Sequence, residues 1–245
     1  MTDLHTHILP GLDDGAKELG SALAMLEHQA GQGVTRIALT SHYHCELEAL
    51  DDFLARREEA FRALAQVCPP ELTLKRGCEV YYSPELLGLE AERLCLEGTR
   101  VLLLELPVLQ KPAFLREVLA GLAARGILPL IAHAERYAYV AENPTLLADW
   151  IALGARIQVN AGSLMEGQRL AMKLVKWGLA HVIASDAHSL QYRPANLRRG
   201  MDAVAKALGP EKARELEHNA AMIFSGRGCP AGTHQTPKKI LGFWF

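Results

Sequence analysis

Along the chain, short apolar runs rich in Val, Ile and Leu alternate with longer segments whose apolar positions recur at helical spacing. The short runs predict strands at Thr2–His5, Arg36–Thr40, Leu72–Val80, Val101–Leu106, Leu128–Ala132, Arg156–Asn160 and His181–Ser185. The periodic segments predict helices at Lys17–Gly31, Leu50–Val67, Ala113–Arg125, Thr145–Leu153, Leu164–Trp177 and Ala195–Ala207, with a last one near Glu211–His218 packed on the outside. Strand followed by helix, repeated about seven times, is the pattern of βα units around a parallel sheet. An open sheet of that width leaves two edges to be covered, and closure removes them. The expected fold is therefore α/β, a distorted TIM-like (β/α)7 barrel in a single domain.

Composition narrows the class without changing the fold. The chain has 245 residues, 49% hydrophobic and 22% charged, a balance that suits one barrel and carries no disorder signature. No Pro/Gly/Ser linker divides it, so residues 1–224 are expected as one barrel and 225–245 as a C-terminal tail, docked on the body or on a neighbouring copy. The formal net charge is -2 and no basic run occurs, so the chain lacks the electrostatic footprint of a nucleic-acid or anionic-membrane binder. Cys45, Cys68, Cys78, Cys95 and Cys229 are scattered and never spaced C-x-x-C, which points to reduced thiols in a cytoplasmic protein. No signal peptide precedes the first motif and no apolar run approaches the roughly 18 residues of a membrane span, so no membrane insertion is expected.

The chemistry gathers at strand ends. His5 and His7 close the first strand, His42 the second, Glu79 the third, Glu105 the fourth, His133 the fifth, and Asp186 with His188 the seventh. In a parallel barrel all these ends open on one face, so residues far apart in sequence converge there. Any one of them alone is an ordinary loop or core residue. So many buried imidazoles and carboxylates together would destabilise the fold severely unless they were paired or coordinated. Residues two apart at a strand end project to one side, so His5 with His7, and Asp186 with His188, can each reach one ion. Imidazole and carboxylate without thiolate suit Mn²⁺, Fe²⁺ or Zn²⁺, and a carboxylate-rich version of such a site leans to Mn²⁺ or Fe²⁺. About nine ligands exceed the need of one ion, and two or three divalent ions sharing a bridging carboxylate would use them. Such a cluster hydrolyses phosphate esters with a bridging water as nucleophile, while Arg136 and Arg193 offer planar forks for the phosphoryl oxygens. Tyr81, Tyr82 and Tyr137 fit either core or rim packing or a wall around a flat phenyl ring. No C-x5-R loop of a cysteine phosphatase is present.

The segments DLHTH, TSHYH, GCEVYY, LELP, AHAERY, QVNAGSL and VIASDAHS, in this order, resemble the PHP (polymerase and histidinol phosphatase) superfamily. Within it, the opening D-x-H-x-H-I-L-P-G-x-D-D-G and the H-x-E-R-Y segment are similar to bacterial manganese-dependent tyrosine-protein phosphatases of capsule and exopolysaccharide clusters. The resemblance runs to about Phe224 and implies a trinuclear site. It implies His5, His7, Glu79 and Asp186 on a first metal, Glu79 bridging to a second completed by Glu105 and His133, and Asp14, His42 and His188 on a third. Asp13 is the alternative to Asp14. The resemblance gives Arg136 the phosphate contact, with Arg193 a weaker match, and implies as substrate a phosphotyrosine protein, especially the tyrosine-rich tail of a bacterial autokinase. An oligomer is compatible with this reading. Competing readings are a small-molecule phosphatase acting on a histidinol-phosphate-like monoester, a non-catalytic metal-bound regulatory module, and an amidohydrolase. The last lacks a lysine at the position that Glu79 occupies.

Overall fold

The computed structural model describes residues 1–165, 169–240 and 243–244. Strand β1 (Thr2–Asp3) pairs with β2 (Arg36–Leu39), and β2 pairs with β4 (Thr73–Arg76). Beyond Thr40 and Ser41 the chain of β2 resumes as β3 (His42–Tyr43), and beyond Gly77 and Cys78 that of β4 resumes as β5 (Glu79–Tyr81). The second sheet runs β3, β5, β6 (Val101–Glu105), β7 (Leu128–Ile131), β8 (Arg156–Asn160), β9 (Val182–Ala184), with every pairing parallel. A parallel bridge between Thr6 and Ala187 joins the first strand to the last. With β2/β3 and β4/β5 each counted as one interrupted stave, the seven predicted strands are the staves of a closed barrel.

Strand β6 shows how the barrel is packed. Leu102 and Leu104 belong to the outer apolar layer that meets the helices, whereas Val101 and Leu103 join Leu4, Ala38, Leu130, Ala132 and Val182 in a separate inner cluster. Glu105 continues the inward alternation at the strand's end, which aims its carboxylate at the barrel mouth. The helices of the outer layer include α1 (Leu19–Gly31), α2 (Leu50–Ala65), α3 (Leu115–Ala124), α4 (Ala138–Glu142), α5 (Leu146–Ala152), α6 (Ala161–Met165), α7 (Arg169–Lys176) and α8 (Leu197–Leu208). The predicted helix Leu164–Trp177 survives as the end of α6 and as α7, and its residues 166–168 lie outside the described residues.

Two expectations change. Helix α9 (Pro210–Phe224) is longer than predicted and does not sit outside: Ala220, Ile223 and Phe224 close the inner cluster from the barrel's lower end. Asn219 there donates to the carbonyl of His181 at 2.9 Å. The tail docks on the body, where Cys229 O accepts from Arg156 Nε at 2.8 Å and Gln235 N donates to Trp177 O at 2.7 Å. It ends in β10 (Lys239–Ile240) paired antiparallel with β11 (Phe243–Trp244), with Trp244 Nε1 donating to Glu142 O at 3.1 Å. No helix among the described residues is long and apolar enough to cross a membrane, and the five cysteines are free thiols.

Candidate metal centre

The predicted ligands converge at the upper mouth. His5 Nε2 and His7 Nε2 lie 3.1 Å apart, and Glu79 Oε2 is 3.1 and 3.2 Å from them. Asp186 Oδ1 is 3.5 and 3.6 Å from the same two nitrogens. His133 Nε2 faces Glu79 Oε1 at 2.9 Å and Glu105 Oε1 at 3.5 Å. On the other side of Glu79, Asp14 Oδ1 lies 3.3 Å from His188 Nε2 and 3.5 Å from His42 Nε2. His42 Nδ1 also comes within 3.1 Å of Glu79 Oε2, so this ring spans two groups of ligands. Three sets have donor atoms close enough for one ion: His5, His7 and Asp186; His7, Asp14, His42 and His188; and His42, Glu79 and Glu105. His133 is outside these sets, although its contacts to Glu79 and Glu105 keep it at their edge.

Local backbone explains part of this convergence. His133 and Asp186 take positive φ of 29° and 54°, a conformation that costs a non-glycine residue about 1–3 kcal/mol and persists where the surroundings enforce it. The turn at Asp186 also separates a pair expected to share one ion. Asp186 faces His5 and His7, whereas His188 turns to Asp14 and donates from Nδ1 to the Asp186 carbonyl at 3.0 Å.

The two adjacent aspartates separate cleanly. Asp13 is nearly enclosed, with 5% side-chain exposure, and its carboxylate is spent on His7 Nδ1 at 2.7 Å, His42 N at 3.0 Å and Gly15 N at 2.9 Å. Asp14, 64% exposed, leaves its oxygen to His42 and His188. Asp13 thus orients His7 and Asp14 faces the cluster. Asp3 is a different case. Fully buried, it accepts from Ser185 N at 3.0 Å and Gln29 Nε2 at 2.8 Å, and so ties β1 to the last strand below the site.

Do these residues fit a metal? His5, His7 and His188 each direct Nδ1 outward at an acceptor: Gln158 Oε1, Asp13 Oδ2 and the Asp186 carbonyl. A neutral imidazole that donates from one nitrogen offers a lone pair on the other. His188 Nε2 accepts from Arg193 Nη1 at 3.0 Å, whereas the inner Nε2 atoms of neutral His5 and His7 would face one another and the carboxylates as acceptors. That arrangement is repulsive without positive charge between them. Their spacing suits such a charge, because neighbouring ligands of one ion bound at about 2.1 Å sit about 3.0–3.4 Å apart. Buried Asp186 Oδ1 and His42 Nδ1, both turned towards the cluster, also have no hydrogen-bond partner. The residues fit.

Electrostatics point the same way. Burial would pull the His7 imidazole down, but the Asp13 and Glu79 carboxylates push it up to about 10. Glu105 is pushed up to about 7, by burial and then by the Glu79 charge. Carboxylates buried this close together favour positive charge among them.

Arg136 Nη1 donates to Asp186 Oδ2 at 3.0 Å, and Arg193 Nη2 donates to the same oxygen. Both guanidiniums are half-exposed, so the two predicted forks converge on one edge of the mouth. Of the two readings of the tyrosines, core packing holds for Tyr82 and Tyr137, which are buried, with Tyr137 donating to Ala132 O at 2.8 Å. Tyr81 remains at the rim, stacked on His44 with ring centroids 4.6 Å apart. Gln158 and Asn160 were missed as site residues. Their signal was two amides, two positions apart, in a strand otherwise suited to apolar side chains.

Comparison with known proteins adds three findings. The family model described as capsular polysaccharide synthesis, CpsB/CapC, matches residues 1–225. The chain is 29% identical to the tyrosine-protein phosphatase YwqE of Bacillus subtilis across all of both chains, tail included, and 30% identical to the tyrosine-protein phosphatase CpsB of Streptococcus pneumoniae over 88% of this chain and 94% of that one. A crystal structure from work on YwqE and CpsB, described as unique metal-dependent tyrosine phosphatases, superposes with a TM-score of 0.87 at 27% identity, covering 98% of this chain and 100% of that chain.

Proposed function

This chain belongs to the CpsB/CapC family of capsular polysaccharide synthesis, and on that premise we propose that the strand-end cluster is the metal shell of its phosphatase site. The protein is a metal-dependent tyrosine-protein phosphatase. His5, His7, Glu79 and Asp186 would hold one ion, Glu79, Glu105 and His133 a second, and Asp14, His42 and His188 a third. Five imidazoles and four carboxylates without thiolate suit Mn²⁺, Fe²⁺ or Zn²⁺, of which Mn²⁺ is the ion proposed. When bound, such ions supply Lewis acidity and a water whose pKa is lowered towards neutrality.

The chain's own residues do the rest. Arg136 and Arg193, anchored on Asp186, hold planar donors at the edge of the cluster, where a phosphoryl group's oxygens need neutralising. Glu79, enclosed by four imidazoles, stays ionised although burial opposes it, because His5 and His133 hold its carboxyl well below the usual range. Tyr81, braced by His44, offers a face for a phenyl ring.

The rim supports a macromolecular substrate. Leu47, Leu109 and Tyr192 follow three different site-bearing strand ends and are 80%, 80% and 93% exposed. Apolar groups that open to solvent around a catalytic mouth suit a peptide flanking the phosphotyrosine, and a metabolite pocket would enclose them. The finer substrate proposed is the tyrosine-rich tail of a bacterial tyrosine kinase, and the five free thiols support a reducing, cytoplasmic setting. One observation carries the reading: buried imidazole and carboxylate donors face one another at ligand spacing beside two converging arginines. Its test is kcat/KM on phosphotyrosine peptides and on histidinol phosphate with Mn²⁺, Fe²⁺ or Zn²⁺ present. Peptide turnover that requires the metal supports it, and preference for histidinol phosphate overturns the substrate assignment.

A further inference from the structure

Strand β8 reaches the mouth of the barrel without presenting a charged or imidazole side chain to it. What it presents is Gln158 and Asn160, both buried and both on the inward face. Gln158 Oε1 lies 2.7 Å from His133 N and 3.2 Å from His5 Nδ1. Its Nε2 lies 2.7 Å from Asn160 Oδ1, and Asn160 Nδ2 lies 2.8 Å from Asp186 Oδ2. The direction of this chain is set at both ends, because a backbone N–H can only donate and a carboxylate can only accept. His133 N–H therefore fixes the Gln158 oxygen as acceptor, and its amide nitrogen must donate to Asn160. Asn160 in turn must donate to Asp186.

From this we infer that Gln158 is the positioning residue that decides which nitrogen of His5 faces the metal. Its oxygen, already oriented by His133 N, accepts the Nδ1 proton of His5 and leaves Nε2 as the only lone pair directed at Glu79 and Asp186. Through Asn160 the same amide pins the Asp186 side chain, which two arginines also pull. One side chain thus steadies His5, the His133 backbone and Asp186, residues drawn from three strand ends. Glu135 steadies the far end of this link, because its Oε1 accepts from Asn160 N at 3.1 Å and from Ser163 Oγ at 2.7 Å. Outer partners of metal-bound histidines typically contribute 10- to 100-fold in affinity by fixing tautomer and ring orientation.

The inference rests on the ligand reading above, and the test separates the two. Mn²⁺ affinity is titrated by electron paramagnetic resonance on the full-length wild-type, His5→Ala, Gln158→Leu and Asn160→Leu proteins. Gln158→Leu is expected to bind about 10- to 100-fold more weakly, and Asn160→Leu, which breaks only the Asp186 branch, to lose less. Wild-type affinity in Gln158→Leu alongside weakened His5→Ala overturns the positioning role and leaves the ligand set standing. Unchanged affinity in His5→Ala overturns the ligand set itself. A second readout needs no variant: ¹⁵N NMR of the Zn²⁺-loaded wild-type protein should show His5 protonated at Nδ1 and bound through Nε2. The opposite tautomer overturns the inference even if Gln158→Leu fails to fold.

Discussion

His5 and His181 are both buried imidazoles on staves of the same barrel, one at the upper mouth and one at the lower end. At His181 both nitrogens are spent on backbone: Nδ1 accepts from Ile157 N at 3.2 Å, and Nε2 donates to Ala231 O of the tail at 3.0 Å. Burial, opposed only weakly by that carbonyl, lowers its pKa to about 4. His5 spends only Nδ1 on a neutral neighbour and turns Nε2 towards another imidazole and two carboxylates. A buried histidine whose nitrogens both meet backbone closes a structure. One that keeps a nitrogen facing other donors is placed to hold a ligand, and on the proposed metal shell the two ends of this barrel should fail in different ways when altered.

The largest contrast is expected at Glu79, which touches four imidazoles of the upper cluster. Glu79→Ala should lower kcat/KM on a phosphotyrosine peptide by at least about 10³-fold, since several kcal/mol of transition-state stabilisation depend on the metal shell. His133→Ala should behave similarly. Metal content by mass spectrometry should fall in both, with the circular dichroism of a folded barrel retained. Full activity in either variant would remove that residue from the shell.

The lower end should answer to acid. His181 prefers to be neutral in the folded protein, with a pKa of about 4 against 6.5 for a free imidazole. Its contribution is whole above pH 6.5, where neither state is protonated. As pH falls from 6.5 towards 4 the unfolded chain takes up a proton that the folded chain refuses, and stability drops by up to about 3 kcal/mol. Urea melts across this range should show a shallower loss in His181→Gln, which can serve both backbone partners without titrating. Equal slopes in the two proteins would mean that His181 is not the group responsible, and activity near neutrality should be the same in both.

Between these lies Arg136. Arg136→Ala should reduce kcat/KM by about 10²-fold, the scale for losing one preorganised donor, while metal content stays near wild type. Arg136→Lys should recover little, because an ammonium lacks the planar fork. If metal content fell as far as activity, the guanidinium would be serving chiefly to hold Asp186.

The two ends also differ in how openly the sequence declares them. All seven staves could be read, because strands covered on both faces become continuous apolar runs, and the charged residues closing those runs mark the mouth. Helices α4 and α6 could not, being too short to display a period. The seat of α9 was misread, since amphipathic spacing says which face is buried and not what buries it. Asp13 and Asp14 are indistinguishable in sequence and become distinct only when a turn brings His7 and His42 to one of them. Gln158 escaped notice for a related reason, because an amide inside a strand has many unremarkable explanations until its partners are known.

The smallest expected effects come from two glycines that bring backbone against backbone, one at each end. Gly15 approaches so closely that a Cβ there would lie 2.0 Å from His7 O, and Ala16 N already donates to that oxygen at 3.0 Å. Gly178, at φ 74°, leaves 2.6 Å between such a Cβ and Thr233 O of the tail. Alanine at either position must push a backbone segment aside, at a cost of about 1–3 kcal/mol. At Gly178 the segment displaced is the tail, so Gly178→Ala should lower the melting temperature by a few degrees and leave kcat/KM unchanged. At Gly15 the displaced segment carries Asp13 and Asp14, so Gly15→Ala should weaken Mn²⁺ binding more than it lowers the melting temperature. If both variants changed the same property to the same extent, the division between a ligand-holding mouth and a structural lower end would collapse.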